Sequence, residues 1–530
     1  MRSQYALLIF TLALVGCAVG PDYKRPVVEV PDSYRFAIDD LSATANTEWW
    51  KSFGDPVLDQ LITTALANNS SVEIAAFNVE QAAGVFTTTR SPLFPQIGYQ
   101  GSGSRQDLPN EFVAAGSDNP ATTYQAFATA TWEVDLWGRI RRQTEAARAN
   151  LYATEFARRG VLLSVVSAVA TVYLNLRALD QQLVIAESTR DAYAESVKLF
   201  ELQYQYGVVS EMTVDQARAQ FETAASLIPQ IEQQIVVTEN VMSLLIGANP
   251  GPIPRGKKIG ELALPSVPAG LPSDLLERRP DIAEAEQNLI AANAQIGAAK
   301  ALYFPTISLT GFLGDSSSDL SNLFQGSAKT WNFTGSITGP IFTGGAISGQ
   351  VAQAQASQKV ALSNYENAIQ NAFTEVENAL SSRVKLTEEV AAKQRLVDAL
   401  RGYARLAQLQ YDGGYTAYLT VLDAQQQLFP AELDLALTSA QLLNSASEIY
   451  KATGGGWINA ADELAPQPEQ GGWLSPAVGA GALPSNGGVR DESAASAAPS
   501  TAAQPGAPSG QGGTAPAAPG GSQSEGSVGR

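Results

Sequence analysis

The sequence predicts a mainly α-helical protein with a β part built to cross a membrane, made by internal duplication of a helix, strand-pair, long-helix unit. Three observations predict it. Two runs free of proline, Arg139 to Tyr204 and Thr343 to Leu428, far exceed ordinary globular helices. Four short segments between helical stretches alternate in the strand manner. The chain also matches itself: Tyr204-Gln-Tyr-Gly207 with Tyr411-Asp-Gly-Gly414, Thr213-Val214 with Thr420-Val421, and Pro95 with Pro305.

The N-terminus reads as an export signal. Arg2 precedes an apolar core from Tyr5 to Val15, and a small residue leads to Cys17, the only cysteine in 530 residues. A single cysteine excludes an intrachain disulfide. Leu14-Val15-Gly16-Cys17 resembles a bacterial lipobox, which makes 1–16 the signal peptide and Cys17 the acylated first residue of the mature chain. An ordinary signal with an incidental cysteine is the alternative. The apolar core falls short of the roughly 20 residues a membrane helix needs, and no second stretch is expected to serve as one. A net charge of −18 argues against a nucleic-acid partner. With no histidine, Ser-His-Asp triads, imidazole acid–base chemistry and most zinc sites are excluded, so neither an enzyme nor a bound cofactor or metal is expected.

The first repeat covers about 50–248 and carries strands near 94–105 and 121–134. In the first of them Ile97, Tyr99 and Gly101 oppose Gln96, Gly98 and Gln100. In the second Tyr124, Ala126, Ala128, Ala130 and Trp132 share a face, with Phe127 an exception on the other. As a helix, the run to Tyr204 would extend about 100 Å at ~1.5 Å per residue. It must reverse at Tyr206-Gly-Val-Val-Ser210, where Gly207 can take a positive φ and Ser210 can cap the returning helix. A proline-rich linker, 249–272, joins the halves.

The second repeat, about 273–456, repeats the plan. After Pro280 the seam reads Ile282, Leu289, Ile296, Tyr303 against Ala285, Ala292, Ala299. Strands near 303–313 and 328–341 set Ile307, Leu309 and Gly311 against Thr306, Ser308 and Thr310, and Trp331, Phe333 and Ile337 against Asn332, Thr334 and Ser336. The long helix then shows a heptad seam, Leu362, Ile369, Val376, Val390, Val397 with Tyr365, Ala372, Ala379, Leu386, Leu400, broken only by Arg383 and Lys393. Its reversal, Gly413-Gly-Tyr-Thr416, offers Gly414 for the turn and Thr416 as a cap. From Ala461 to Arg530 the Ala, Gly, Pro, Ser composition reads as a disordered tail. In Glu277-Arg-Arg-Pro-Asp281, Pro280 and Asp281 suit a helix start, while Asp281, Glu284 and Glu286 read as a solvated face.

Strands near ten residues long, with small hydroxylated faces and terminal aromatics, fit a transmembrane barrel. Four strands cannot close one, and an open edge in lipid leaves backbone groups unpaired at several kcal/mol each. Copies of the chain must complete it: two would give eight strands and three would give twelve. The long helices then continue as a tube of the same symmetry, an oligomeric lipid-anchored conduit. A lipid-anchored coiled-coil adhesin or scaffold would explain the heptads and Cys17, but not the strands or the duplication.

Leu271 to Gly311, "LPSDLLERRPDIAEAEQNLIAANAQIGAAKALYFPTISLTG", closely resembles the signature of the outer-membrane factor family, the TolC-like efflux ducts. "WWKSFGDPVLDQLI" (Trp49 to Ile62), "WEVDLWGRIRR" (Trp132 to Arg142), "GPIFTGG" (Gly339 to Gly345) and "GPDYKRP" after the lipobox point to its lipoprotein branch, often called NodT-like. The likeness spans about 17–456. It implies a homotrimer whose twelve-stranded outer-membrane barrel runs into a long periplasmic α-barrel. It also implies a periplasmic adaptor and an inner-membrane pump, commonly of the resistance-nodulation-division type. By the same resemblance the helix tips, Gly207, Val208, Val209 and Ser210 with Gly414, Tyr415 and Thr416, face the adaptor. "YLTVLDAQQQL" assigns a gate to Leu419 and Asp423, four apart on one helix face. Relatives often carry arginine where this chain has Gln426, which puts an ion-pair latch there in doubt. The bland alternative is that Leu419 packs against a neighbouring helix.

Overall fold

The computed structural model describes residues 18–468, apart from 29, 32, 37–47, 110, 112, 115–117, 266–274 and 456–457. Cys17, the expected signal peptide 1–16 and the remainder of the expected tail, beyond 468, lie outside the described residues. The first half runs α1 (Pro56–Asn68), α2 (Ser70–Arg90), β1 (Gln96–Gln106), β2 (Ala121–Val134), α3 (Arg139–Gln205) and α4 (Glu211–Leu245). The second runs α5 (Leu275–Arg278), α6 (Pro280–Ala301), β3 (Thr306–Ser317), β4 (Lys329–Thr338), α7 (Ala346–Asp412), α8 (Tyr418–Ala452) and α9 (Ile458–Leu464). The long helices α3 and α7 are 67 residues each, and α4 and α8 are 35 each, so the duplication holds to the residue. β3 continues to Ser317, past the expected end at 313, because Ser316 and Ser317 still pair with Gln125 and Tyr124 of β2.

Helix α3 starts where Gly138 takes φ 77° and the Asp135 carboxylate accepts from the backbone N–H of Ile140 and Arg141, at 3.0 and 2.8 Å. Both oxygens thus serve donors that the first turn cannot satisfy itself. α3 is the spine of the helical layer: it packs on α2 and α6 on the strand side and on α4 and α8 farther along, while α7 packs on α6 and α8. One stretch of α3 is apolar and long enough to cross a membrane, with a mean hydropathy of 1.7, contrary to expectation. It is 67% buried, and Leu162, Val166, Val169, Tyr173 and Leu174 lie in the main core. The same core takes Trp49, Trp50 and Phe53, with Trp49 stacked 5.1 Å from Tyr450.

The α7 seam packs inward at Tyr365, Ile369, Ala372, Val376, Ala379, Val397 and Leu400. Its two charged breaks are answered: Arg383 donates to the carbonyls of Leu442 and Pro265, and Lys393 binds Glu389, Asp434 and the Thr438 hydroxyl. On α6, Ile282, Leu289 and Ile296 are buried, but Ala285, Ala292 and Ala299 are only half-buried. The alanines that bring α6 close to α3 are Ala291 and Ala294, against Ala146 and Ala149.

Two expectations are corrected. The chain does not become a tail at Ala461: α9 is a helix, Ala461 is fully buried, and Asp462 lies 2.6 Å from the buried Arg158, which also holds Glu155. Composition misled because alanine and acidic residues suit a short helix as well as a low-complexity segment. Glu286 is not on a solvated face either. It is buried, accepts from the Tyr23 hydroxyl at 3.0 Å and pairs with Arg25 at 3.2 Å. Arg279 is likewise buried, as the residue before α6, held by Asp281, Glu375 and the Ala452 carbonyl.

The linker is clasped along 253–258. Buried Asp55 accepts from Val57 N, Lys257 N and the Tyr173 hydroxyl, and that hydroxyl accepts from Gly256 N at 3.0 Å. A Cβ on Gly256 would fall 2.0 Å from an Asp55 oxygen, so only glycine lets the linker pass. Burial first, and then the bond to Asp55, push the Tyr173 pKa well above its ordinary value. Arg255 adds bonds to Asp180 and Glu239. A second, small core lies beside the helix reversals, where Phe200, Tyr411 and Tyr418 meet edge to face, Phe200 and Tyr418 at 4.2 Å.

Tyr173→Phe leaves Gly256 N and an Asp55 oxygen short of a partner, which costs about 1–3 kcal/mol. A lower melting temperature of the detergent-solubilised protein is the expected reading, and an unchanged one would show that the clasp is incidental. Phe200→Ala empties the small core at a cost of about 3–5 kcal/mol. Amide exchange should then speed up across 404–422 while the core around Trp49 stays protected.

Candidate functional site

The strands form one sheet in the order β1-β2-β3-β4, every pair antiparallel. Register sorts the side chains into two faces. Pairing of Tyr99 with Ala128, Ala128 with Leu313 and Leu313 with Trp331 puts these on one side, together with Ile97, Leu309, Phe333 and Ile337. Most of these large side chains are strongly exposed, with Tyr99 at 95%, Trp331 at 68%, Phe333 at 77% and Ile337 at 72%. The other face carries hydroxyls and amides joined across strands, such as Ser308 with Ser336 at 2.7 Å and Ser102 with Gln125 at 3.4 Å. Phe127, the exception on that face, stacks on Phe312 at 4.5 Å, and Gly314 leaves the space for its ring. Among the described residues the outer edges of β1 and β4 have no strand partner. A sheet apolar on one face, polar on the other and open at both edges is one sector of a barrel in lipid.

At the root of the sheet, Trp132 Nε1 donates to the Leu93 carbonyl and Trp137 Nε1 to the Pro305 carbonyl, at 3.1 and 2.7 Å. Glu133 binds Arg139. The strap after Cys17 docks beside them. Val19 N donates to the Trp137 carbonyl, Ala18 lies against Gly138, and Asp22 pairs with Arg142. These contacts give "GPDYKRP" a physical role that the sequence alone did not disclose.

At the far end both long helices close with the same turn. Gly207 N bonds Tyr204 O and Val208 N bonds Gln203 O; Gly414 N bonds Tyr411 O and Tyr415 N bonds Gln410 O. Gly207 and Gly414 have φ 70° and 76°, as expected for this helix end. The capping expectation fails. Ser210 precedes α4 but makes no side-chain cap bond, its hydroxyl facing Thr213 instead. Ala417, not Thr416, precedes α8, and Thr416 bonds the Thr420 hydroxyl. The small aromatic core brings the two tips together, with Val209 packed against it. Val208 and Tyr415 stand 70% and 88% exposed beside exposed Gly207, Ser210 and Gly414, with Thr416 half-buried.

Leu419 and Asp423 lie on the first turns of α8 and are exposed, Leu419 at 64%, so Leu419 does not pack within its own chain. Asp423 Oδ2 accepts from the Tyr403 hydroxyl of α7 at 3.0 Å and from Gln427 Nε2 at 2.9 Å. Its hydrogen bond is the main cause that raises the Tyr403 pKa. Gln426 is exposed, and the amide on Asp423 comes from Gln427. Tyr403 was missed in the sequence because its partner lies 20 residues away across a helix pair. Among the described residues no group of histidine, cysteine or carboxylates could hold a metal ion.

The profile of the family described as "Outer membrane efflux protein" matches residues 61–248 and 271–455. The solvent efflux pump outer membrane protein SrpC of Pseudomonas putida is 38% identical over 465 residues, covering 86% of this chain and 99% of its own. The cation efflux system protein CusC of Escherichia coli K12 is 38% identical over 455 residues, covering 84% and 97%. The crystal structure of the Campylobacter jejuni CmeC outer membrane channel superposes with a TM-score of 0.80 at 26% identity, covering 85% of this chain and 99% of that one. With the match extending through both halves and across sheet and helices alike, the chain belongs to the outer membrane efflux protein family.

Proposed function

We propose that three copies of this chain close a twelve-stranded outer-membrane barrel continuous with a periplasmic α-helical duct, through which an efflux system discharges its cargo passively. The observation that carries this reading is the four-stranded, two-faced, open-edged sheet running directly into helices about 100 Å long. An adhesin would need no such sheet. Channel relatives named for solvents and for cations share this scaffold, so cargo choice rests with the pump. That pump is an inner-membrane transporter of the resistance-nodulation-division class, reached through a periplasmic adaptor. The adaptor meets the two tips, whose exposed Val208 and Tyr415 offer apolar contact.

Acylated Cys17 adds a lipid anchor in the inner leaflet of the outer membrane. The docking of Ala18 and Val19 against Trp137 and Gly138, at the root of the sheet, supports this. Threefold symmetry brings three Leu419 side chains and three Asp423 carboxylates around the axis at the tip. The leucines seal by contact and the carboxylates favour cations. Tyr403 and Gln427 hold each carboxylate in place.

In planar bilayers, Leu419→Ala with Asp423→Ala should raise conductance and weaken cation selectivity without loss of the trimer. Wild-type conductance combined with a dissociated trimer would assign both residues to packing instead. Cys17→Ser should abolish palmitate labelling and slow leader cleavage. Normal labelling of that variant would remove the lipid from the account.

A further inference from the structure

Along α8 the helical layer is hollowed by a groove of about 530 Å³, walled by α3 and α7. One stripe of α8 lines it: Leu437, Gln441, Asn444 and Glu448 follow at steps of four, three and four residues. Ala440, Leu443, Ile449 and Tyr450 leave the same helix in the other direction, into the main core with Trp49. The groove therefore opens on the face of the layer turned away from that core and from the linker residues Ile253, Ile259 and Leu262 packed in it.

Two polar groups there lack a partner. Asn444 is only 7% exposed; its Nδ2 donates to Asn175 Oδ1 at 3.0 Å, but its own Oδ1 accepts from nothing. Burying an oxygen without a donor is costly. One turn on, Glu448 stands exposed over the groove and makes no hydrogen bond or ion pair among the described residues. No lysine or arginine lines the groove. The surrounding helices shield Glu448 from water enough to raise its pKa, with the charge of Lys451 acting in the opposite sense. Gln182 spends its Nε2 on the Leu433 carbonyl, which leaves its Oε1 as a third acceptor. Leu179, Leu386 and Leu437 complete the wall with hydrocarbon.

A groove of the same volume between α3, α6 and α7 differs in kind. It presents amides such as Gln143, Asn150 and Gln295, but no charged side chain and no orphaned buried atom. Acceptors, one negative charge and leucine walls, with no base beside them, select a ligand that donates, is positive and is partly hydrocarbon. We propose that the groove on α8 binds an organic ammonium ion. Its N–H groups serve Asn444 Oδ1 and the Glu448 carboxylate, and its apolar body lies against the three leucines. Residues four apart share a helix face, so one ammonium head reaches both acceptors. A bare metal ion would need a cluster of ligands that no group of described residues offers. The site is built within one chain; its place on the inner wall of the passage rests on the duct reading, under which it is a resting point for cationic cargo.

Monodansylcadaverine, a primary ammonium on a fluorescent apolar body, is the probe. Equilibrium dialysis against the full-length protein in nanodiscs of zwitterionic lipid should show saturable binding. The N-acetylated probe, whose head is uncharged, should bind roughly tenfold or more weakly, the effect of losing a hydrogen bond to a charged group. Glu448→Gln and Asn444→Leu should each weaken the amine to a similar degree without changing mobility on native gels. Gln295→Leu, in the uncharged groove, should leave it unchanged. Equal affinity of wild type and Glu448→Gln, or equal binding of the amine and its acetylated form, would overturn the site. A trimer that binds neither probe would overturn the site and leave the duct intact. A monomer on native gels that still binds the amine would keep the site and overturn the duct.

Discussion

Hydrocarbon offers no hydrogen bonds, and that single constraint organises this chain. Every N–H and C=O on the edges of β1 and β4 must find a partner or cost several kcal/mol, and the chain supplies only four strands. The deficit makes a lone copy incomplete where it meets lipid and complete where it meets water. The helical part has no such deficit, since its backbone bonds are internal to each helix. Assembly is therefore demanded at one end of the molecule and merely accompanied at the other.

The duplication converts this demand into geometry. The two equivalent strand pairs meet in one join inside the chain, where Trp137 stacks on Phe304 and bonds the Pro305 carbonyl. The same economy appears at the opposite end, where two identical glycine turns close α3 and α7 and an aromatic core of Phe200, Tyr411 and Tyr418 ties the hairpins together. Between them, the Asp55 and Tyr173 clasp fixes the linker against the spine helix.

Much of this was legible before any coordinates. Period-two alternation sorted Phe333 from Thr334 and Leu309 from Ser308, because a strand has only two faces. Proline-free length and glycine at Gly207 and Gly414 marked the long helices and their ends, since both are local properties of the backbone. What escaped was non-local. Glu286 read as solvated because nothing near it in sequence announces Tyr23 and Arg25. Asp462 read as tail because its partner Arg158 lies 304 residues earlier. At the candidate gate, Leu419 and Asp423 were named by the family resemblance of their stretch, and their spacing only put them on one helix face; Tyr403, on a different helix, had no such local signal.

The strap that follows Cys17 has a consequence for the order of events in a newly exported chain. Tyr23 closes on Glu286 across 263 residues and Arg25 on Tyr365 across 340. Gly20 meets Gly297 backbone to backbone, so tightly that a Cβ on Gly20 would fall 2.4 Å from the Gly297 Cα. The groove that holds the strap thus is not complete until α6 and much of α7 have been made. Ala18, Val19 and Asp22 can meet Trp137, Gly138 and Arg142 early, but the strap is complete only once its partners on α6 and α7 are in place.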